Sequence, residues 1–127
     1  MNLLESQLMA VITLEKLKKF ALASGDHNPI HQDEEVAKSM GLKGVIAHGM
    51  FISSLVLSRA LEVIEKTPEL QGKKISKSHT RFRAMTFVGD EISVSGEWQS
   101  VESGLKLDLL AKNQRNETVV TATLDVT

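Results

Sequence analysis

The sequence predicts an α+β domain in which a curled antiparallel sheet wraps one long helix. Three observations lead there. First, residues 50–66 are apolar at Met50, Ile52, Leu55, Val56, Leu57, Ala60, Leu61, Val63 and Ile64, with little polar until Arg59 and Glu62. As a helix this stretch would be roughly 25 Å long, and a helix so apolar needs cover on most sides. Second, apolar and polar residues alternate in three later runs: Ile92 to Trp98, Leu105 to Ala111 and Val120 to Val126. Third, turn residues separate those runs at Val88-Gly89-Asp90, Glu102-Ser103-Gly104 and 113–117. Consecutive antiparallel strands, each with one buried face, follow from that pattern.

The remaining elements fit around this frame. Residues 7–12 read as an additional strand. Residues 14–23 read as a helix capped by Thr13, with Leu14, Leu17, Phe20 and Ala21 on one face and Gly25 just past its end. Lys16, Lys18 and Lys19 give it a solvated face. Asp33 can cap a short helix over 34–40, closed by Gly41. Residues 74–85 read as a strand with weaker alternation.

With 127 residues, the chain has the size of one domain. A net charge of −1 offers no basic field to nucleic acid. The absence of cysteine excludes thiol nucleophiles, disulfides and cysteine metal sites. The opening Met1-Asn2-Leu3-Leu4-Glu5 lacks the basic and apolar regions of a secretory leader, and no apolar run is long enough for a membrane span. A cytoplasmic protein is the expectation.

Chemistry concentrates in Ser24-Gly25-Asp26-His27-Asn28-Pro29-Ile30-His31. This polar turn places a carboxylate, Asp26, five positions from an imidazole, His31, the two commonest partners for proton transfer near neutral pH. Asp26 by itself fits an Asx turn as well as it fits catalysis. A second segment, Ile46-Ala47-His48-Gly49-Met50, runs into the long helix, whose first N–H groups can stabilise a developing oxyanion. Asn28 reads as a turn-setting, orienting residue, because Asn-Pro fixes the backbone between Asp26 and His31. His48 reads as an orienting hydrogen-bond partner. His27 and His79 read as surface or strand residues. The i,i+4 spacing of His27 and His31 would suit zinc on a helix, but Pro29 opposes a continuous helix there, and no metal is expected. Ser53, Ser54 and Ser58 on the long helix are expected to back-bond to helical carbonyls.

The string Phe20-Ala21-x-x-Ser24-Gly25-Asp26-x-Asn28-Pro29-Ile30-His31-x-Asp33, with Ala37, Gly41 and Ile46-Ala47-His48-Gly49-Met50, resembles the MaoC-like dehydratases, which include the (R)-specific enoyl-CoA hydratases. Arg81-Phe82-Arg83 and Gly89-Asp90-Glu91-Ile92 also match that family's strand signals. The resemblance covers about residues 13–126. It departs from the family in a short N-terminal segment without the usual glycine turn, and in Lys43-Gly44-Val45 where an Arg-Pro pair is frequent. The resemblance implies a hot-dog fold, usually dimeric, and reversible hydration of trans-2-enoyl thioesters. It implies that Asp26 and His31 hold one water between them and that the Gly49 amide binds the thioester oxygen. Glycine at 49 would let the thioester approach the main chain and would allow backbone angles that a side chain resists. No cofactor is implied; coenzyme A enters as part of the substrate.

Coenzyme A and acyl carrier protein both present phosphate. The basic stretch Lys73, Lys74, Lys77, Arg81 and Arg83 would contact such a carrier, with Arg81 and Arg83 the named candidates, or else form a solvated strand face. Three other functions compete. A 3-hydroxyacyl-acyl-carrier-protein dehydratase would share the site and differ in carrier. A hot-dog thioesterase would release free thiol, and the paired Asp26 and His31 argue against it. A non-catalytic acyl-thioester binding subunit would bind without turnover, and the intact pair disfavours it.

Overall fold

The computed structural model describes residues 2–102 and 104–127. Five strands form one antiparallel sheet: β1 (Asn2–Val11), β2 (Ile75–Phe82), β3 (Glu91–Val101), β4 (Gly104–Lys112) and β5 (Thr118–Val126). Their order across the sheet is β1-β3-β4-β5-β2, so β1 and β2 are the two edges. Among the described residues, three α-helices complete the fold, α1 (Leu14–Ser24), α2 (Glu34–Ser39) and α3 (Gly49–Lys66), with short 3-10 turns at Pro29–His31 and Pro68–Leu70. Ser103, in the expected turn between β3 and β4, lies outside the described residues.

The alternation seen in sequence sorts the sheet into two faces. Ile92, Val94, Leu105, Leu107, Leu109, Ala111, Val120, Ala122, Leu124 and Val126 are buried toward α3. From the helix, Ile52, Val56, Ala60, Val63 and Ile64 meet them in one continuous core. Each large aliphatic side chain buried there contributes about 1.5–3 kcal/mol. Cover on α3 is one-sided within this chain. Met50 and Leu61 are exposed, although the sequence places them in the same apolar run.

β1 begins five residues earlier than its alternation predicts. Register shifts fall between Leu4 and Gln7 and between Leu8 and Ala10. Each slip moves side chains to the other face and erases the period-two signal. The Glu5 carbonyl in the first irregularity accepts a bond from Arg59 Nη2 at 3.1 Å. Arg59, buried on α3, thus ties the helix to this edge, with Glu62 3.5 Å from its Nη1. β2 ends at Phe82, before the predicted 85, because the chain then turns to bond with Val119 through the Arg83 and Ala84 amides.

Candidate active site

The turn after α1 is set by local bonds. Gly25 closes the helix in the left-handed region, φ 81°, which costs glycine no steric penalty. Ser24 Oγ accepts from the Asp26 amide at 3.2 Å, Asp26 Oδ1 from the Asn28 amide at 3.2 Å, and Asn28 Oδ1 from the Ile30 amide at 3.2 Å. Pro29, its φ already fixed, opens a short 3-10 turn over Pro29–His31. Asp26 is therefore an Asx-turn residue and something more. Its second oxygen, Oδ2, remains free and lies 3.9 Å from His31 Nε2.

His31 Nδ1 lies 2.8 Å from the Ile46 carbonyl. A carbonyl only accepts, so Nδ1 carries the hydrogen and Nε2 turns its lone pair toward Asp26. A separation of 3.9 Å exceeds a direct hydrogen bond and suits two groups sharing one water. The Ile46 segment is itself fixed: its amide donates to the Ile30 carbonyl at 3.1 Å, and the Ala47 amide donates to Thr86 at 2.8 Å.

His48 stacks on His31, ring centroids 4.0 Å apart, and Phe20 packs against it at 4.9 Å. Its Nε2 donates to the Asp26 carbonyl at 3.1 Å. Its Nδ1 is sealed without a partner. Burial lowers its pKa below the ordinary 6.5; the bond to the Asp26 carbonyl opposes this, and repulsion from His31 adds to it. His48 is thus a neutral donor that holds the Asp26 turn against the start of α3.

Gly49 is the first residue of α3, and its amide has no hydrogen-bond partner among the described residues, while the Phe51 and Ile52 amides donate to the His48 carbonyl. The free amide and the helix dipole put positive potential beside the Asp26–His31 gap. One of the two reasons expected for glycine is not met. Gly49 does not adopt positive φ. A Cβ there would sit 3.0 Å from Cε1 of Phe82, so glycine also leaves room for that ring.

Sequence reasoning did not single out Phe82. Strand alternation sends it toward Gly49 and turns Arg81 to the opposite face, where Arg81 Nε lies 3.4 Å from His79 Nε2. Arg81 is exposed on that face. Arg83 is exposed just past the strand end. Lys43 lines a separate open cavity of about 760 Å³ with Met85, Val88 and Arg115.

Asp26, His31 and His48 bring one potential ligand atom each within 4.8 Å of one another. Of these, His48 Nδ1 is sealed and its Nε2 is committed to the Asp26 carbonyl. Two open donors remain, His31 Nε2 and Asp26 Oδ2, an arrangement better matched to a water than to a cation. His27, which the sequence pairs with His31 by spacing, is exposed and precedes the 3-10 turn, so no helix joins the two.

A curled sheet around a central helix, with an Asp–His pair at that helix's N-terminus, defines a hot-dog domain. Residues 4–121 match the family model of the MaoC like domain, and the chain belongs to this family of hydratases and dehydratases. Among its relatives is the fatty acid synthase subunit beta of Gibberella zeae, 31% identical over 90% of this chain and 6% of that protein. The 3-hydroxyacyl-thioester dehydratase X of Mycobacterium tuberculosis is 49% identical over 37% of this chain and 17% of that protein. The chain therefore spans only a small part of these two much longer proteins. The R-hydratase PhaJ1 from Pseudomonas aeruginosa superposes with a TM-score of 0.81 at 24% identity, covering 99% of this chain and 81% of that one, and shares its fold.

Proposed function

We propose that this domain catalyses the reversible hydration of trans-2-enoyl thioesters to (R)-3-hydroxyacyl thioesters, with coenzyme A as carrier and no further cofactor. The observation that carries this reading is the 3.9 Å gap between His31 Nε2 and Asp26 Oδ2 beside the unpaired Gly49 amide. A water in that gap would be oriented by Asp26. As its oxygen bonds C3, His31 Nε2 takes its proton. The alkene electron pair moves through C2 toward the thioester oxygen, where the Gly49 amide meets the new charge. The proton returns to C2, and dehydration is the same path reversed.

The functional unit in this reading is a homodimer. Among the described residues β2 pairs with β5 alone and leaves its other edge open, which invites a second strand. Met50 and Phe82, next to the Gly49 amide, are exposed in the single chain, and a second copy would shield the oxyanion from water. Arg83, exposed beyond β2, and Arg81, exposed on the strand, are the basic candidates for the carrier phosphates. Among the described residues no helix is long and apolar enough to cross a membrane; the cytoplasm is the proposed location. The test is purified protein with crotonyl-CoA: enoyl absorbance should fall and chiral analysis should show the (R) product. Release of free thiol without loss of the enoyl would overturn this in favour of a thioesterase.

A further inference from the structure

Three serines share the apolar helix α3, and they behave differently. Ser54 Oγ donates to the Phe51 carbonyl at 2.6 Å, and Ser58 Oγ donates to the Ser54 carbonyl at 2.9 Å. Both are the back-bonded state expected of serine in a helix. Ser53 makes no such bond, and its hydroxyl has no hydrogen-bond partner among the described residues. It is also the most buried of the three, 7% exposed. Buried hydroxyls in folded proteins are nearly always paired. Unlike His48 Nδ1 and Arg59 Nε, the sealed unpaired atoms, this hydroxyl is not closed off from solvent, so a ligand atom can reach it.

Its position says which atom. Ser53 follows Gly49 by four residues, hence on the same helix face and about 6 Å along the axis. Helical side chains lean toward the N-terminus of their helix, so the Ser53 side chain lies over the turn that begins at Gly49. Gly49 itself places no side chain there. Resting on the hydratase reading above, we propose that Ser53 is a second oxyanion donor: its hydroxyl hydrogen-bonds the thioester carbonyl oxygen together with the Gly49 amide. The hydroxyl keeps its proton throughout; it contributes a dipole and forms no covalent bond.

The test is steady-state hydration of crotonyl-CoA by wild type, Ser53→Ala and Ser53→Thr, with Tm and the affinity for saturated butyryl-CoA measured alongside. Ser53→Ala should lower kcat at least tenfold, following the hundredfold or larger losses seen for single oxyanion donors. Its butyryl-CoA affinity should change little, because the bond strengthens as charge develops. Its Tm should stay near wild type, since the hydroxyl has no partner within the protein to lose. Ser53→Thr keeps the hydroxyl and should recover most of kcat. Wild-type kcat in Ser53→Ala, or a kcat loss that tracks a falling Tm, overturns the assignment while the hydratase reading stands. A wild-type protein that hydrates no enoyl thioester overturns the hydratase reading and this inference with it.

Discussion

Two aspartates sit in polar turns of this chain, and the structure treats them in opposite ways. Asp90, in the turn before β3, is buried, and every lone pair is used. Phe87 donates its amide to Oδ2 at 2.9 Å, Gln114 donates to Oδ1 at 3.0 Å, and Arg115 reaches Oδ1 through Nη1 at 3.2 Å and Oδ2 through Nη2 at 3.5 Å. Burial pushes its pKa up, but these donors together outweigh burial and hold it below the usual carboxylate value. Asp26 spends only Oδ1 on its own turn and leaves Oδ2 half exposed, facing an imidazole too distant to bond directly. A saturated carboxylate fastens loops to one another. A carboxylate with one oxygen in reserve can bind and polarise something that comes and goes. Both residues look alike in sequence, as an Asp following a Gly.

The contrast breaks most visibly on the open side. Asp26→Ala and His31→Ala should each lower kcat for crotonyl-CoA by a hundredfold or more, the ordinary worth of a general acid–base group. Folding should persist at a modest cost, because each variant gives up one local bond, from the Asn28 amide to Asp26 Oδ1 or from His31 Nδ1 to the Ile46 carbonyl, worth about 0.5–1.5 kcal/mol. The double variant should be scarcely worse than the worse single one, since both groups act on one water. A folded single variant that kept more than about a tenth of wild-type kcat would remove that residue from the mechanism.

On the saturated side the effect moves from rate to stability. Asp90→Ala leaves the Phe87 amide and the Gln114 amide without their acceptor and the Arg115 guanidinium without its counter-charge. The half-exposed arginine can turn to water or to Glu117, 2.8 Å from its Nε, so its share of the loss is small. A loss of about 2–3 kcal/mol is expected from the buried hydrogen bonds. Chemical denaturation should show it as a lower midpoint, with kcat near wild type at a temperature where the variant is folded. If kcat fell a hundredfold while stability held, the two aspartates would have exchanged roles.

What the sequence shows of this arrangement is its local part. Helix boundaries from caps and periodicity agree within a residue or two, because Thr13, Gly25 and Asp33 make their caps with near neighbours. Strand β1 is legible only from residue 7, because its two register shifts break the alternation on which the reading depends. The Asp26–His31 pairing is visible because one short turn builds it. Its supports are not, since the Ile46 carbonyl that fixes the His31 tautomer and the Thr86 carbonyl that anchors Ala47 come from distant segments. Arg81 stands out in sequence as a basic residue in a basic run, yet strand alternation decides which face it takes. The Asp90–Arg115 tie spans 25 positions, and nothing local announces it.

Acid should weaken the molecule in two steps. His48 has a folded pKa below its ordinary 6.5, so between the two values the unfolded chain binds more protons. Its contribution to stability is full above about pH 6.5 and is lost as pH falls through the lower, folded value. Asp90 is likewise depressed, from an ordinary 3.8, so its contribution is full above that value and fails only at lower pH. Tm measured downward from pH 8 should therefore start to decline near pH 6.5 and drop again below about 3.8. His48→Gln keeps a side-chain donor for the Asp26 carbonyl but cannot titrate, and should flatten the first decline. A first decline of undiminished size in that variant would assign it to another group.

The smallest expected change is also the sharpest probe of where the open site ends. Gly49→Ala adds one methyl that would meet Phe82 Cε1 at 3.0 Å. Phe82 is 55% exposed and can give way by a few tenths of an ångström, so the fold should tolerate the methyl. The amide proposed to meet the thioester oxygen would shift slightly if the ring resists. A fall in kcat of about three- to tenfold is expected, well short of the hundredfold or more that losing an oxyanion donor costs. Phe82→Ala in the same background removes the obstacle, so the double variant should recover the part of kcat lost to the clash. The coupling between the two substitutions measures it directly. Full kcat in Gly49→Ala with a markedly lower Tm would make Gly49 a packing residue. A loss that Phe82→Ala leaves untouched would instead place the methyl against the substrate.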